Sequence, residues 1–518
     1  MSQPQHDHQH DHQHESRRQP RTILIGTPDT LRVLSRQLWH LPEAPDSIGC
    51  VPVGEAVPAG EAIGAAGPVL GPEDELGAIC AAHGIERAIV SLPAAMRERI
   101  ARVRADLRRV GVSERFVAPM VEQLSCAPAP LPSMTTGEPT LIDPAILIGR
   151  EAHTIDRAVV GGAISGRRVL VTGAGGSIGS ELCRIAAEFG PERLVLMERS
   201  ENALFEIDRQ LSTRFPGVER AALLHDVVEA DRTRELVEAH APDVVFHAAA
   251  HKHVPLMEDH PAHALSNNVF GTASILDAAR AAGAGRFVLI STDKAVHPSS
   301  VMGATKRLAE LYVQGVCAPS GGGVTRAAIV RFGNVLGSSG SVLRIWAAQL
   351  GAGEPISVTD ERMTRYFMTI PEAAALVAQA GAMTEPGEPR VYMLDMGEPV
   401  RILDLAKRFV EAHGLTPRVR RFGAFDPGEG PAQAGDVIVT GARPGEKLSE
   451  SLAYDAETLA PTSHPGIGAL SDGAEHSPEG ARAMLEDLDQ ARRSGDAAAV
   501  LEAIGRHVPS LRDRVVAA

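Results

Sequence analysis

The sequence predicts an α/β protein made of two parallel-sheet units, the second doubly wound and continued by a smaller lobe. Three observations carry this. Apolar strand-like runs such as Arg168-Val-Leu-Val-Thr172 alternate with helical patterns. A glycine-rich turn joins the strongest strand to the helix after it. A weaker alternation of the same kind fills the first part of the chain. At 518 residues the chain exceeds a single core, so more than one domain is expected. Hydrophobic residues at 44% and charged ones at 22% fit a globular protein, and aromatics at only 3% leave the packing to Leu, Val, Ile and Ala. A formal charge of −14 argues against a nucleic-acid partner, which requires basic surface to displace counterions.

Taken in order, residues 1–20 are polar and His-rich and read as a disordered tail, with incidental metal affinity at His6, His8, His10, His12 and His14. Residues 21–120 show strand-like runs at Thr22–Gly26, Arg87–Ser91 and Arg115–Ala118, with helical patterns around Glu73–His83 and Ala94–Val110. The first turn of this unit, Gly26-Thr-Pro-Asp-Thr30, has one glycine, and a proline where a phosphate loop offers NH groups. A degenerate domain that packs or regulates is the reading. Residues 121–165, rich in Pro, Ala and Gly, read as a connector; 166–455 as the main domain with its lobe; 456–518 as a C-terminal helical segment. Cys50, Cys80, Cys126, Cys183 and Cys317 lie far apart, as free thiols do in a reducing compartment. With no apolar leader and no stretch of about 18 apolar residues, a soluble, cytoplasmic chain is expected, without a membrane span.

The strongest local signal is Gly173-Ala-Gly-Gly-Ser-Ile-Gly179 between Arg168–Thr172 and the amphipathic run Ser180–Phe189. Glycines 173, 176 and 179 let the turn tighten, the backbone approach a pyrophosphate, and the helix pack on the strand. The helix start, with Ser177 and Ile178, presents NH groups to phosphate. Glu198 ends the next strand at the spacing at which an acid accepts the adenosine ribose hydroxyls, which favours NAD. Arg199 beside it suits a 2′-phosphate, so NADP stays open, and Asp226 falls where such Rossmann-like folds meet adenine. Farther on, Arg286–Ile290 ends in Ser291-Thr-Asp-Lys-Ala295, delivering polar side chains to the carboxyl edge of the sheet, where ligands bind. Met302 and Lys306, four apart, share one helical face.

These residues resemble the extended short-chain dehydrogenase/reductases, and within them the polysaccharide-biosynthesis nucleotide-sugar 4,6-dehydratases. The resemblance rests on Thr172–Ser180, His247-Ala-Ala-Ala-His-Lys-His-Val-Pro255, Asn268-Val-Phe-Gly-Thr272, Ser291–Ala295, Val301-Met-Gly-Ala-Thr-Lys306, Arg331-Phe-Gly-Asn-Val335 and Arg443-Pro-Gly-Glu-Lys447. It implies dehydration of UDP-N-acetylglucosamine to the 4-keto-6-deoxy sugar on a tightly bound NAD, for surface polysaccharide or glycan synthesis, in a homo-oligomer. It also implies roles: Thr292 at the C4 oxygen, Asp293 protonating the leaving C6 hydroxyl, Lys294 taking the C5 proton, and Lys306 on the nicotinamide ribose. Met302 stands where most of these enzymes carry a tyrosine base, as in a methionine-bearing subgroup; the acceptor of the C4 hydroxyl proton is then open among Asp293, Lys294 and water. Lys252, Asn334, Arg365 and Arg443 would meet the sugar or the nucleotide. His251 and His253, lacking a nearby third ligand, read as structural rather than metal-binding. Two competing readings are a nucleotide-sugar C4-epimerase, which has no need of the Asp293–Lys294 pair, and a non-catalytic NAD(P)-binding regulator.

Overall fold

The computed structural model describes residues 20–39, 47–54, 57–93, 96–116, 152–319, 325–387, 389–413, 415–421, 432–441, 445–471 and 476–511. The His-rich tail, Cys126, Arg443 and most of the expected connector lie outside them. Contacts divide the chain into two compact units, Met1–Thr136 and Gly137–Ala518.

In the first unit β1 (Thr22–Gly26), β2 (Ser47–Pro52), β3 (Arg87–Ser91) and β4 (Ser113–Phe116) form a parallel sheet in the order β2-β1-β3-β4. The last strand begins two residues before the expected Arg115. Apolar side chains on both faces, among them Ile23, Leu24, Ile25 and Val90, are buried against helices Pro28–Trp39, Leu76–His83 and Arg97–Arg109. The turn after β1 is filled by its own hydroxyls. Thr30 Oγ1 donates to the Ser91 carbonyl at 2.7 Å, and Thr30 N donates to Thr27 Oγ1 at 3.3 Å. An NH that a phosphate loop would expose is thereby satisfied within the chain.

The second unit is the doubly wound one. Its strands β5 (Arg168–Thr172), β6 (Arg193–Glu198), β7 (Arg220–Leu224), β8 (Val244–His247), β9 (Arg286–Ile290) and β10 (Arg326–Arg331) are all parallel. They are continuous apolar runs because both faces are covered: Val169, Leu170 and Val171 are each 1% exposed or less. The chain then leaves for a lobe through β11 (Asn334–Leu336), β12 (Ile356–Val358), β13 (Thr364–Arg365) and β14 (Phe367–Thr369), and returns as β15 (Arg390–Leu394), parallel to β10. It leaves again through β16 (Val400–Arg401), β17 (Arg418–Arg421) and β18 (Asp436–Val439), and re-enters as β19 (Thr458–Pro461) and β20 (Ile467–Ser471). The finished sheet has nine strands in the order β19-β20-β15-β10-β9-β8-β5-β6-β7. Helices Ser177–Glu188 and Ile370–Met383 cover one face; Gly271–Ala281, Val301–Val316 and Pro478–Arg493 cover the other. The lobe has its own core, centred on Trp346 and Phe409 with rings 5.5 Å apart.

Two expectations about the boundaries need correction. The segment expected as connector ends in a helix, Arg157–Ile164, capped by Asp156 on Ala158 N and Val159 N, whose Val160, Ala163 and Ile164 join the main core. The segment 456–518 is not helical throughout: β19 and β20 add antiparallel to the sheet before helices Pro478–Arg493 and Ala497–His507. Among the described residues no helix is long and apolar enough to cross a membrane.

Candidate active site

The order of strands reverses between β5 and β8, and the glycine turn leaves β5 at that crevice. Gly173 takes φ +65°, and a Cβ there would lie 2.7 Å from Ala249 N. Gly176 caps the helix Ser177–Glu188 without a side-chain hydrogen bond, so the helix-start NH groups are not consumed by a cap. A Cβ at Gly179 would collide with the Gly173 carbonyl oxygen. Side chains at 173 or 179 would thus collide with neighbouring backbone, so glycine there lets the turn close tightly at the helix start, an arrangement that fits a dinucleotide pyrophosphate. Ser177 Oγ accepts from Ser339 N at 3.2 Å, and Ile178 packs against the core. Below the turn, buried His247 joins β8 to β5. Thr272 Oγ1 donates to the Asn268 carbonyl, so His247 Nε2 donates to Thr272 at 3.0 Å and Nδ1 accepts from Thr172 at 2.7 Å. Burial, with Lys306 nearby, pushes this imidazole down to about 3, so it is neutral.

At the end of β6 Glu198 is aimed by two backbone donors, Gly175 N at 3.1 Å and Ser200 N at 3.0 Å. Arg199 lies 3.7 Å from Asp226 and bonds Asn267 Oδ1 at 3.4 Å. Its charge is thus partly answered by Asp226, while Glu198 keeps free lone pairs for a ribose diol. His251 stacks on His263 with ring centroids 5.1 Å apart. Among the described residues no group of three or more His, Cys, Asp or Glu is placed to hold a metal ion.

The polar cluster forms where β9 ends. Thr292 caps a 3-10 turn, Asp293–Ala295. Asp293 is fully buried; its Oδ1 accepts from Thr292 Oγ1 at 3.0 Å and Lys294 Nζ at 2.9 Å, while Oδ2 has no partner among the described residues. Lys294 Nζ also donates to Asn334 Oδ1 at 2.8 Å, bringing in the start of β11. The helix Val301–Val316 is capped by Ser300 Oγ on Gly303 N, and Gly303 is required because a Cβ would collide with the Lys294 carbonyl oxygen. On this helix Met302 is 3% exposed and packs in the core. Lys306 is 4% exposed and makes no hydrogen bond among the described residues; burial lowers it to about 8, against the pull of Glu310.

Lys294, Asn334, Arg365, Lys447 and Glu450 line a cavity of about 150 Å³. Arg365 is buried and largely committed, donating to the carbonyls of Thr364 (2.7 Å), Lys447 (2.8 Å) and Leu448 (3.2 Å), so it shapes the segment 445–450. Lys252 stands outside this lining, exposed, with Nζ 3.3 Å from Ser338 Oγ. Arg443 is outside the described residues.

Sequence reasoning missed the ionic brace behind the cluster. Arg331, fully buried, donates to both oxygens of Glu310 at 2.8 Å and to both of Glu457 at 2.9 and 2.8 Å. Glu310 in turn accepts from Ser291 Oγ at 2.6 Å, and Tyr454 Oη donates to the Ala295 carbonyl at 2.7 Å. Arg331 belongs to a motif noticed in the sequence, but nothing local pointed to its partners.

Residues 169–471 match the family described as polysaccharide biosynthesis protein. The probable polysaccharide biosynthesis protein EpsC of Bacillus subtilis is 39% identical over 411 residues, which are 78% of this chain and 64% of that protein. The matched region is thus under two thirds of that relative's length. A Campylobacter jejuni protein named UDP-N-acetylglucosamine 4,6-dehydratase (inverting) is 28% identical over 290 residues, 56% of this chain and 78% of its own. Among solved structures, Pen from Bacillus thuringiensis has a TM-score of 0.52 at 26% identity, covering 61% of this chain and 90% of that one.

Proposed function

The chain belongs to the polysaccharide biosynthesis protein family, and from that premise we propose that it is a nucleotide-sugar 4,6-dehydratase acting on UDP-N-acetylglucosamine. The observation that carries the proposal is the Thr292–Asp293–Lys294 cluster with Asn334, set at the carboxyl end of β9 and holding one buried carboxylate oxygen without a partner among the described residues. The name of the Campylobacter jejuni relative supports the choice of sugar.

Loss of water across C5–C6 needs an acidified C5 proton, a base to take it and an acid at the C6 hydroxyl. The turn 173–179, Glu198 and Lys306 would hold NAD, which would supply reversible hydride exchange with the sugar. The chain's own groups do the rest. Thr292 holds the C4 oxygen, and its hydroxyl, already bonded to Asp293 Oδ1, passes the C4 proton to that carboxylate. Asp293 then gives a proton to the departing C6 hydroxyl through its free oxygen. Lys294, held between Asp293 and Asn334, removes the C5 proton. This route needs no phenol at position 302, where buried Met302 only packs. Arg365 and Lys447 put positive charge on the cavity that would receive the nucleotide.

The test is mass spectrometry of UDP-N-acetylglucosamine incubated with the purified protein in heavy water, without added cofactor. Loss of one water with one deuteron gained at C5 is expected. No product, with NAD or NADP supplied in turn, would sink this substrate assignment.

A further inference from the structure

The stretch Ser291–Ala295 carries the three groups that the proposed reaction uses, and it holds itself only loosely. Its 3-10 turn is closed by Ala295 N on the Thr292 carbonyl at 3.2 Å and Val296 N on the Asp293 carbonyl at 3.0 Å. Lys294 N donates to Thr292 Oγ1 at 3.3 Å. Two of these three bonds are longer than the usual distance of about 2.9–3.0 Å. The longest uses the hydroxyl that has to turn to the C4 oxygen of a sugar, so the turn loosens further when Thr292 engages substrate.

Both ends of the stretch are tied elsewhere by shorter bonds. At the front, Ser291 Oγ donates to Glu310 Oε1 at 2.6 Å. At the back, Tyr454 Oη donates to the Ala295 carbonyl at 2.7 Å. The two ties meet in one network: Arg331 holds Glu310 and Glu457, and Glu457 accepts from the Tyr454 backbone NH at 2.8 Å. Arg331 and Glu310 are fully buried, so this anchor has little room to move. The Tyr454 ring centroid lies 5.0 Å from the Arg307 guanidinium and 4.6 Å from the His297 ring centroid, contacts that aim its hydroxyl. His297 holds φ +41°, a conformation costly for a residue other than glycine and therefore imposed on this loop by its surroundings. Burial pushes the Tyr454 phenol up, so it stays a donor at neutral pH and is no substitute for a base at position 302.

We propose that Tyr454 is a positioning residue for the reaction: with Ser291 it clamps the two ends of the stretch, so that Asp293 and Lys294 keep their places while Thr292 engages the substrate. The inference rests on the dehydratase reading, and its test is built so that the two can fail separately.

Tyr454→Phe removes one hydroxyl and keeps the ring. Tyr312→Phe is its control, since it loses a phenol bond of similar length, to Asp277 at 2.8 Å, near the far end of the helix Val301–Val316. The first readout needs no turnover. Hydrogen–deuterium exchange of the peptide spanning 291–300 should be about tenfold faster in Tyr454→Phe and unchanged in Tyr312→Phe. The second is steady-state kinetics with UDP-N-acetylglucosamine. In Tyr454→Phe kcat should fall about tenfold with KM within about twofold, while Tyr312→Phe keeps the wild-type kcat whatever stability it loses. Ser291→Ala frees the opposite end and should lower kcat in the same way; the double variant should lose less than the product of the two single losses. Unchanged exchange in Tyr454→Phe overturns the inference, as does an unchanged kcat, a loss carried by KM instead, or fully multiplicative losses in the double variant. An equal kcat loss in Tyr312→Phe also overturns it, because activity would then merely follow stability. If exchange quickens as expected but the wild-type protein yields no product, the clamp stands and the dehydratase reading falls.

Discussion

Replacing Arg331 by methionine removes the cation at the centre of the brace while keeping a side chain of similar length. Arg331 and Glu310 are both fully buried, and the Glu457 side chain is 2% exposed. Two carboxylates would remain in place, Glu310 with Arg307 at 3.0 Å and Ser291, and Glu457 with the Tyr454 backbone NH. Two routes give the size of the effect. Burial pushes the Glu310 carboxyl up, but the charge and bonds of Arg331, helped by Arg307 and Ser291, outweigh it and hold the group at about 2 against an ordinary 4.5. That depression is worth ~3 kcal/mol at neutral pH. Breaking a buried ion pair by removing one partner costs about 3–5 kcal/mol in general, which agrees. Because the folded value is depressed, the contribution is complete above the unfolded value near 4.5 and disappears as pH falls toward 2. Urea unfolding at pH 7 should therefore show Arg331→Met less stable by about 3–5 kcal/mol, and the gap to wild type should narrow below pH 4. A loss under about 1 kcal/mol at pH 7, or a gap that does not change between pH 7 and pH 3, would refute the reasoning.

Two further substitutions probe the cofactor side. Gly179→Ala sets a Cβ against the Gly173 carbonyl oxygen and should weaken NAD binding at least about tenfold by titration calorimetry while far-UV circular dichroism stays unchanged; binding equal to wild type would count against this role for the turn. Lys306→Met should stabilise the cofactor-free protein, because Lys306 has its folded value lowered by burial from 10.5 to about 8 and so carries a penalty whenever it is charged. The gain should be ~1–3 kcal/mol at pH 7 and should fade as pH rises from 8 past 10.5, where wild type loses the same penalty; equal or lower stability at pH 7 would contradict it.

What was legible in the sequence was what is local. Gly173, Gly176 and Gly179 fall within one turn, and Thr292, Asp293 and Lys294 are consecutive, so spacing alone predicted that they act together. Glu198 was found because one strand and one turn fix its distance from the glycines. Asn334 meets Lys294 across forty residues, and only the family resemblance flagged it. The Arg331 brace was illegible for the same reason carried further: Glu310 lies 21 residues away and Glu457 lies 126. The helix Arg157–Ile164 hid behind Gly161 and Gly162, which lower helix propensity, and it forms because packing of Val160 and Ile164 overrides that. Strands β19 and β20 hid among Pro, Gly, Ser and His residues that read as loop, and pairing of β20 with β15 and of β19 with β20 makes them strands.

The brace also sets an order of events during synthesis. The loop from Ser291 to Ser300 leaves the ribosome early, but its fixings come late: Lys447 for the Val296 carbonyl, Tyr454 for the Ala295 carbonyl, Glu457 for Arg331, and Ser510 Oγ for the Pro298 carbonyl at 3.2 Å. At about 5–20 residues per second, a nascent chain spends on the order of ten seconds or more with this loop made but not yet held. A strand-and-turn segment whose fixings lie 151 to 212 residues further along the chain stays unlocked until those residues have been made.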